Sequence, residues 1–194
     1  ARIGQEKIPC YEPLLGQEEI NNLKSVIESG WLSEGRFTRL FEDKLSQICS
    51  RKYALSFSNA TAAMIVGIKA LGISQGDEII VPAFAHPADP NAIAQTGAIP
   101  VFADVNPDTH LIDAEDIQKK ITSKTKAIIT VSWEGQMCEM DLINDIAKKN
   151  KLIVIDDSAR TVDGFYKRII SGMAADITVF SFESKKHLTC GGEG

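Results

Sequence analysis

Short apolar runs rich in β-branched residues alternate along the chain with stretches of helical character, and this alternation limits the fold more than any other feature. The apolar runs cover residues 79–84, 99–105, 126–133, 151–157 and 176–182. Segments of helical character lie between them, at residues 61–71, 89–96, 113–121 and 141–150. Most apolar runs are continuous, which is typical of strands covered on both faces. The pattern predicts an α/β fold with a mainly parallel sheet, right-handed crossovers and helices on both faces.

The two ends of the chain depart from this alternation. Helical stretches at residues 17–29 and 38–50 flank a break at residues 30–32. We interpret residues 1–35 as an N-terminal arm and helix that pack on the main domain, and residues 36–194 as that domain. The final run TCGGEG is glycine-rich and has no closing element, so the domain is expected to be incomplete at its C-terminus.

Composition and charge narrow the class of protein. The 194 residues are 44% hydrophobic and 24% charged, which is ordinary for a globular chain. A net charge of −5 argues against a nucleic-acid or anionic-membrane binder, because such proteins carry a basic excess. No apolar run approaches the roughly 20 residues that cross a bilayer, and ARIGQEKIPC lacks a signal-peptide pattern. We expect a cytoplasmic protein with no nucleic-acid or membrane partner.

The cysteines and histidines are scattered and do not form a metal-ligand pattern. They are Cys10, Cys49, Cys138, Cys190, His86, His110 and His187. No cysteine pair has CxxC spacing, and reduced thiols are the default in a cytosolic chain. The sequence therefore predicts no metal site.

The segment SFSNATAAM, residues 56–64, leads small and polar residues directly into a helix. Backbone N–H groups in the first turn of a helix, aided by the helix dipole, bind phosphate groups. The same residues are also those of a plain helix N-cap at Ser58 or Asn59. Taken alone, the segment favours the plain N-cap, because the motif is weak, and the phosphate site stays an alternative.

Two further features fall at predicted strand ends, where ligands bind in parallel sheets. In VIDDSAR, Asp156 and Asp157 end a strand. Adjacent strand residues point to opposite faces, so the two carboxylates cannot share one role. In FSFESKKHLT, Lys185 and Lys186 follow the last apolar run. On local evidence, a strand-end aspartate is a capping residue about as often as a functional one, and a lysine pair is more often solvated than reactive.

Together, the three features match the requirements of pyridoxal 5′-phosphate (PLP). That cofactor needs an anion site, an acid that keeps its ring nitrogen protonated, and an amine for a Schiff base. Most other ligands of α/β proteins lack this triple demand.

The chain resembles the DegT/DnrJ/EryC1/StrS family of sugar-nucleotide aminotransferases, which are fold-type I PLP enzymes. The resemblance runs from about Ile8 to Gly194 and keeps the order of the motifs. SGWLSEG (29–35) resembles the family's SGWLTxG, and SNATAAM (58–64) resembles NGTxAL. GDEIIVPAFAHPADPNAI (76–93) resembles GDEVIVPxFTFxATxNAI. Further counterparts exist for PVFADVNPDT, GQMCEMDLI, VIDDSAR and FSFESKKHLTCGGEG.

The resemblance implies which residues carry the chemistry. The family pattern SFxx(S/T)K(H/N)L places its lysine five residues after the serine, so Ser181 leads to Lys186 as the Schiff-base lysine. Asp157 matches the aspartate that pairs with the pyridine nitrogen, and Ser181 matches a phosphate contact. Because a neighbouring cation lowers the pKa of a lysine, we expect Lys185 to assist Lys186.

Five other positions receive roles from the same resemblance. Thr61 and Ala62 match the phosphate-binding turn. His86 falls where the family has an aromatic ring against the cofactor face, and an imidazole can stack there too. Trp31 and Ser33 are candidates for contacts with the sugar, although Trp31 is equally typical of a packing residue at a chain break.

Several departures from the family pattern keep alternatives open. Arg160 stands where the family usually has glutamine near the cofactor's 3-hydroxyl, so that cofactor contact is changed. Lys185 replaces a serine or threonine, and Ala60 replaces a glycine. One alternative is therefore a non-catalytic binding or regulatory relative. The other is a PLP-dependent sugar dehydratase of the same family, whose members carry histidine in place of the lysine; the lysine at position 186 argues against it.

The resemblance also implies the function of the whole protein. It implies a fold-type I large domain whose smaller C-terminal domain is absent from this chain. The implied reaction transfers an amino group, with glutamate as the expected donor, to a keto-sugar nucleotide in amino-sugar biosynthesis. Family members are homodimers whose sites are completed by the partner subunit, so we expect a homodimer.

Overall fold

The computed structural model describes residues 12–192 of the chain. The helices are α1 (Gln17–Ser29), α2 (Arg36–Ile48), α3 (Ala60–Ala70), α4 (Ala88–Gln95), α5 (Ala114–Lys120) and α6 (Met140–Asn150). The strands are β1 (Glu78–Pro82), β2 (Ile99–Ala103), β3 (Thr125–Val131), β4 (Ile153–Asp157), β5 (Phe165–Tyr166), β6 (Ile169–Ile170) and β7 (Ile177–Val179). None of the described helices is long and apolar enough to cross a membrane. The first eleven residues of the predicted arm lie outside the described part.

The main sheet has five strands in the order β2-β1-β3-β4-β7, and every neighbouring pair is parallel. The chain runs from β1 outward to β2 and then returns to β3 on the other side of β1. This reversal creates a switch point between β1 and β3, where a crevice opens at the carboxyl edge of the sheet. The predicted parallel α/β fold is confirmed.

Helices cover both faces of the sheet, because adjacent apolar residues in each strand point in opposite directions. One face packs against α3 and α4 through Ile79, Val81, Ile129, Val131 and Ile155. The other face packs against α5 and α6 through Ile80, Ile128 and Val154. The continuous apolar runs of the central strands are thus explained, since both of their faces are buried.

The last strand is shorter than the sequence predicts. The apolar run at 176–182 predicts a full strand, whereas β7 ends at Val179. Beyond it, Phe182 leaves the sheet and packs edge-on against Phe41 of α2, with ring centroids 4.8 Å apart. An aromatic side chain that packs on a helix has the same apolar signature as one that continues a strand.

A small antiparallel hairpin, β5 with β6, was not predicted. Its turn contains Lys167, which takes a left-handed backbone conformation with φ of 56°. Glycine or asparagine usually occupies such positions. The turn has neither residue, so the sequence carries no turn signal that would predict the hairpin.

Candidate active site

The segments that follow β1, β3, β4 and β7 meet the first turn of α3 at the carboxyl edge of the sheet. Together they line a cavity of about 840 Å³. This is the edge at which parallel sheets bind ligands. The cavity wall contains most of the residues to which the sequence assigned chemistry: Thr61, His86, Asp157, Arg160, Ser181 and Lys186.

Helix α3 begins at the cavity with Asn59 as its N-cap. The Asn59 side chain accepts a hydrogen bond from the Ala62 N–H at 2.9 Å, and the first intrahelical bond joins Ala63 N to Asn59 O. The N–H groups of Ala60 and Thr61 precede that bond, so they belong to the anion-binding end of the helix. The cap is thus observed, and it leaves the N–H groups of Ala60 and Thr61 available for the phosphate cradle that the sequence indicates as the alternative.

The structure does not place Ala62 on the cavity wall, although the family resemblance assigns it to the phosphate-binding turn. Its N–H is already engaged by Asn59, and Ala62 is not among the residues that line the cavity. Thr61 and Ala60 do line it. The groups of this turn that can reach a phosphate are therefore those of Ala60 and Thr61, with Ser181 on the opposite segment.

The two aspartates at the end of β4 point in opposite directions, as strand geometry predicts. Asp156 is buried away from the cavity and accepts hydrogen bonds from Thr130 Oγ1 at 2.7 Å and Ser132 Oγ at 3.2 Å. Burial raises the pKa of Asp156 to about 6, although these hydroxyls oppose the shift. Asp157 faces the cavity, and its Oδ1 accepts the Ala159 N–H at 2.8 Å.

The carboxyl of Asp157 is buried beside both a negative and a positive neighbour. Its burial raises the pKa of Asp157, whereas the Ala159 N–H, a hydrogen bond with Asp89, and the charges of Lys186 and His86 lower it. A buried carboxyl with this set of partners is suited to pair with a cation. A protonated ring nitrogen in the cavity would be such a cation.

Asp89 is a site residue that the sequence analysis missed. It lies in the first turn of α4, lines the cavity, and is only 2% exposed. Its burial and the adjacent Asp157 raise the pKa of Asp89 to about 9. One signal was present in the sequence: Asp89 stands where the family segment GDEVIVPxFTFxATxNAI has threonine.

Lys186 is half-buried, whereas Lys185 is exposed, and both line the cavity. Partial burial and then the positive charge of Arg160 lower the pKa of Lys186, while Asp157 and Glu183 oppose this change. The cation that lowers the Lys186 pKa is thus Arg160, and not Lys185 as the sequence predicts. The backbone N–H of Lys185 is fixed by Glu183 Oε2 at 3.0 Å.

Arg160 reaches the cavity from the segment after β4. Its guanidinium forms an ion pair with Glu134 and lies over the Trp133 ring, 5.5 Å from the centroid. His86 lies in the loop between β1 and α4, where its Nδ1 accepts the Ala88 N–H at 3.2 Å. These contacts fix a cation and an imidazole on the wall that also carries Asp157.

Trp31 and Ser33, the candidates for sugar contacts, are not among the residues that line this cavity. They lie between α1 and α2. The Trp31 side chain is 64% exposed, and its indole N–H donates to Glu34 O at 2.7 Å. Their proposed role in sugar binding remains a prediction.

Among the described residues, no cluster of three or more histidine, cysteine or acidic side chains forms a metal-binding group.

The residues present fit PLP. The start of α3 offers N–H groups to a phosphate, and Lys186 offers a primary amine. Asp157 offers a carboxylate to the ring nitrogen. Asp157 and Asp89 lie side by side in a buried wall, and Asp89 Oδ2 has no hydrogen-bond partner within the described part of the chain. Such a pair is costly when both carboxyls are ionised, so a protonated ring would add to the stabilisation that Lys186 and His86 give to Asp157.

The fold and the site define an α/β domain of the PLP-binding type. The chain belongs to the DegT/DnrJ/EryC1/StrS aminotransferase family, whose model matches residues 13–194. The family consists of PLP-dependent enzymes, so the predicted family and cofactor are confirmed.

Individual relatives cover almost all of this chain. GDP-perosamine synthase from Escherichia coli O157:H7 is 40% identical over 188 residues, which are 96% of this chain and 52% of that protein. The spore coat polysaccharide biosynthesis protein SpsC of Bacillus subtilis is 38% identical over 187 residues, or 96% and 48% of the two chains. The structure of Spr1654 from Streptococcus pneumoniae in its PMP form matches with a TM-score of 0.92 at 31% identity, over 95% and 50% of the chains. Its PLP form gives the same TM-score. This chain thus spans about half the length of these relatives.

Proposed function

We propose that the whole protein is a PLP-dependent aminotransferase that transfers an amino group from glutamate to a keto-sugar nucleotide. The observation that carries the proposal is the meeting, in one cavity, of the Lys186 amine, the Asp157 carboxylate and the start of α3. The relative called GDP-perosamine synthase, named for a nucleotide-linked product, supports a sugar nucleotide as the substrate.

Several groups on the cavity wall have a role in this proposal. Bound PLP supplies an aldehyde that condenses with amines and a ring that accepts an electron pair. The N–H groups of Ala60 and Thr61 and the hydroxyl of Ser181 would bind the phosphate. Asp157 would accept a hydrogen bond from the ring nitrogen, and His86 would lie beside the ring. These contacts would fix the ring before any substrate binds.

Lys186 supplies the reactive amine and moves the proton. Its lowered pKa increases the fraction of neutral amine near pH 7, and only a neutral Nζ can accept a proton. Because Arg160 contributes to this lowering, the departure from the family's glutamine at position 160 supports the amine rather than eroding the site. Arg160 also places a positive charge on the wall where the cofactor's 3-hydroxyl is expected.

The proposal extends to the assembly and the compartment. We propose a homodimer, supported by a second, mainly apolar cavity of about 590 Å³ between α2, α3 and the intervening segment. Leu55 in that segment is 73% exposed, and covering it would remove apolar surface from water.

We propose a cytoplasmic location, supported by the free thiols of Cys49, Cys138 and Cys190.

An absorption experiment tests the proposed function. The purified full-length protein with added PLP is expected to develop a visible absorbance band that L-glutamate bleaches, and a keto-sugar nucleotide is expected to restore it. A protein that stays colourless with PLP would favour the non-catalytic relative. A band that glutamate leaves unchanged would contradict the proposed donor. Analytical ultracentrifugation of the same preparation tests the homodimer.

A further inference from the structure

The Asp89 side chain lies on the cavity wall but has no role in the function proposed above. Asp89 is 2% exposed, and its Oδ2 is a buried oxygen that receives no hydrogen bond from an N–H or O–H group in the described part of the chain. A charged carboxylate is rarely buried in this way, because the charged form loses its hydration and gains nothing in return. The position therefore requires an explanation.

The carboxyls of Asp89 and Asp157 are both buried on the wall of the same cavity, and a side-chain hydrogen bond between them contributes to the pKa shifts of both. A carboxylate can only accept hydrogen bonds, so a bond between two carboxyls requires that one of them carry a proton. With that bond formed, the pair would hold one proton and one negative charge. This is the arrangement expected wherever two carboxyls share a buried site.

The neighbours decide which member is neutral. Asp157 has the groups that favour a negative charge: it accepts the Ala159 N–H and faces Lys186 and His86. Asp89 instead faces the negative charges of Asp157 and Asp156, in addition to its burial. The proton consequently belongs on Asp89, which then donates to Asp157.

We propose that Asp89 is a positioning residue that, as a neutral carboxylic acid, donates a hydrogen bond to Asp157 and holds it as the charged partner of the cofactor ring nitrogen. This inference rests on the proposed function only for the identity of that ring. A hydrogen bond donated to a carboxylate stabilises its ionised form, so the proton stays on the ring nitrogen and does not pass to Asp157.

Cofactor affinity separates a donor from a mere packing residue. In the full-length protein, Asp89→Ala removes the donor and is expected to weaken PLP binding about tenfold, the scale of one hydrogen bond to a charged group. Asp89→Asn and Asp89→Thr keep a neutral donor and are expected to bind PLP within about threefold of the wild type. Equal weakening in all three variants, or no weakening in Asp89→Ala, would overturn the proposal.

The reciprocal substitution decides which aspartate is charged. Asp157→Asn leaves a neutral group opposite the ring nitrogen and is expected to shift the pH at which the visible absorbance of the PLP-bound protein changes, whereas Asp89→Asn keeps that pH. The reverse result would assign the charge to Asp89 and overturn the proposal.

An infrared measurement on the cofactor-free protein does not depend on the proposed function. At pH 8, the carboxylic-acid C=O band of the wild type is expected to disappear in Asp89→Asn. A wild type without an acid band at that pH would show that the pair is fully ionised and would overturn the proposal. If the protein failed to bind PLP at all, the proposed function would fail, and the infrared result would still establish whether the pair holds a proton.

Discussion

Replacing Asp89 with asparagine changes how the stability of the cofactor-free protein depends on pH. In the folded protein, burial, followed by the charge of Asp157, raises the pKa of Asp89 from its ordinary value of 3.8 to about 9. Between these two values the folded chain holds a proton that the unfolded chain releases. Stability therefore falls as the pH rises through this interval, and the loss is complete above the folded pKa.

The size of the effect follows from the linkage between protons and folding. One extra proton bound by the folded state corresponds to about 1.4 kcal/mol of unfolding free energy per pH unit. Between pH 6 and pH 8, both inside the interval, the wild type loses about 2.7 kcal/mol at this position. Asparagine does not titrate, so Asp89→Asn escapes this loss. Asp156 is present in both proteins, and the asparagine amide keeps a hydrogen-bond donor beside Asp157, so the titrations of these two aspartates largely cancel in the comparison.

The assay is urea denaturation of the full-length, cofactor-free wild type and variant at pH 6, 7 and 8. We expect the free energy of unfolding of Asp89→Asn, relative to the wild type, to rise by about 2.7 kcal/mol across this range. Asp145→Asn, the same substitution at an exposed position on α6, is the matched control. Parallel pH curves for the wild type and Asp89→Asn would refute the reasoning, because Asp89 would then be ionised in the folded protein at pH 6.

Three further predictions address the reactive amine, the helix cap and the packing beside β7. Borohydride reduction of the PLP-bound protein and peptide mapping are expected to place the pyridoxyl group on Lys186. An adduct on Lys185 would contradict the alignment of Ser181 and Lys186 with the family pattern. Asn59→Ala removes the cap of α3 and should cost about 1 kcal/mol in urea denaturation, whereas Asn59→Ser should lose less; equal losses would exclude capping as the cause. Gly172→Ala is expected to destabilise by about 1–3 kcal/mol, because φ is 93° and the new Cβ would lie 2.5 Å from Cys49 Sγ. Adding Cys49→Ala should recover part of that loss, and no recovery would argue against the clash.

Much of the fold could be predicted because the central strands are buried on both faces. Residues such as Ile128 and Ile129 pack on opposite sides of the sheet, so both must be apolar, and the resulting run is visible in the sequence. The end of β7 was not predictable in the same way. Phe182 is apolar because it packs on Phe41, a contact made by residues distant in sequence. Local pattern does not distinguish these two causes.

The candidate site likewise contains residues that a local motif predicts and contacts that only the structure shows. Asp157 and Lys186 were predictable because each lies in a motif whose spacing the family keeps. The engagement of the Ala62 N–H by Asn59 was not, because both a bare anion cradle and a capped helix start with the same small and polar residues. The role of Arg160 in lowering the Lys186 pKa also depended on structure, since the two residues come from different strand ends.

Asp89 was missed because its local sequence has an ordinary explanation. An acidic residue in the first turn of a helix is stabilised by the helix dipole, typically by 0.3–1 kcal/mol, and Asp89 occupies that position in α4. That explanation predicts an ionised, solvated carboxylate. In the folded protein, burial and the adjacent Asp157 outweigh the dipole, since a shift of even two pKa units corresponds to about 2.7 kcal/mol. The sequence thus predicts that Asp89 is a favourable charge at a helix terminus, whereas in the proposal it is a neutral hydrogen-bond donor. Its burial next to Asp157 is what distinguishes the two.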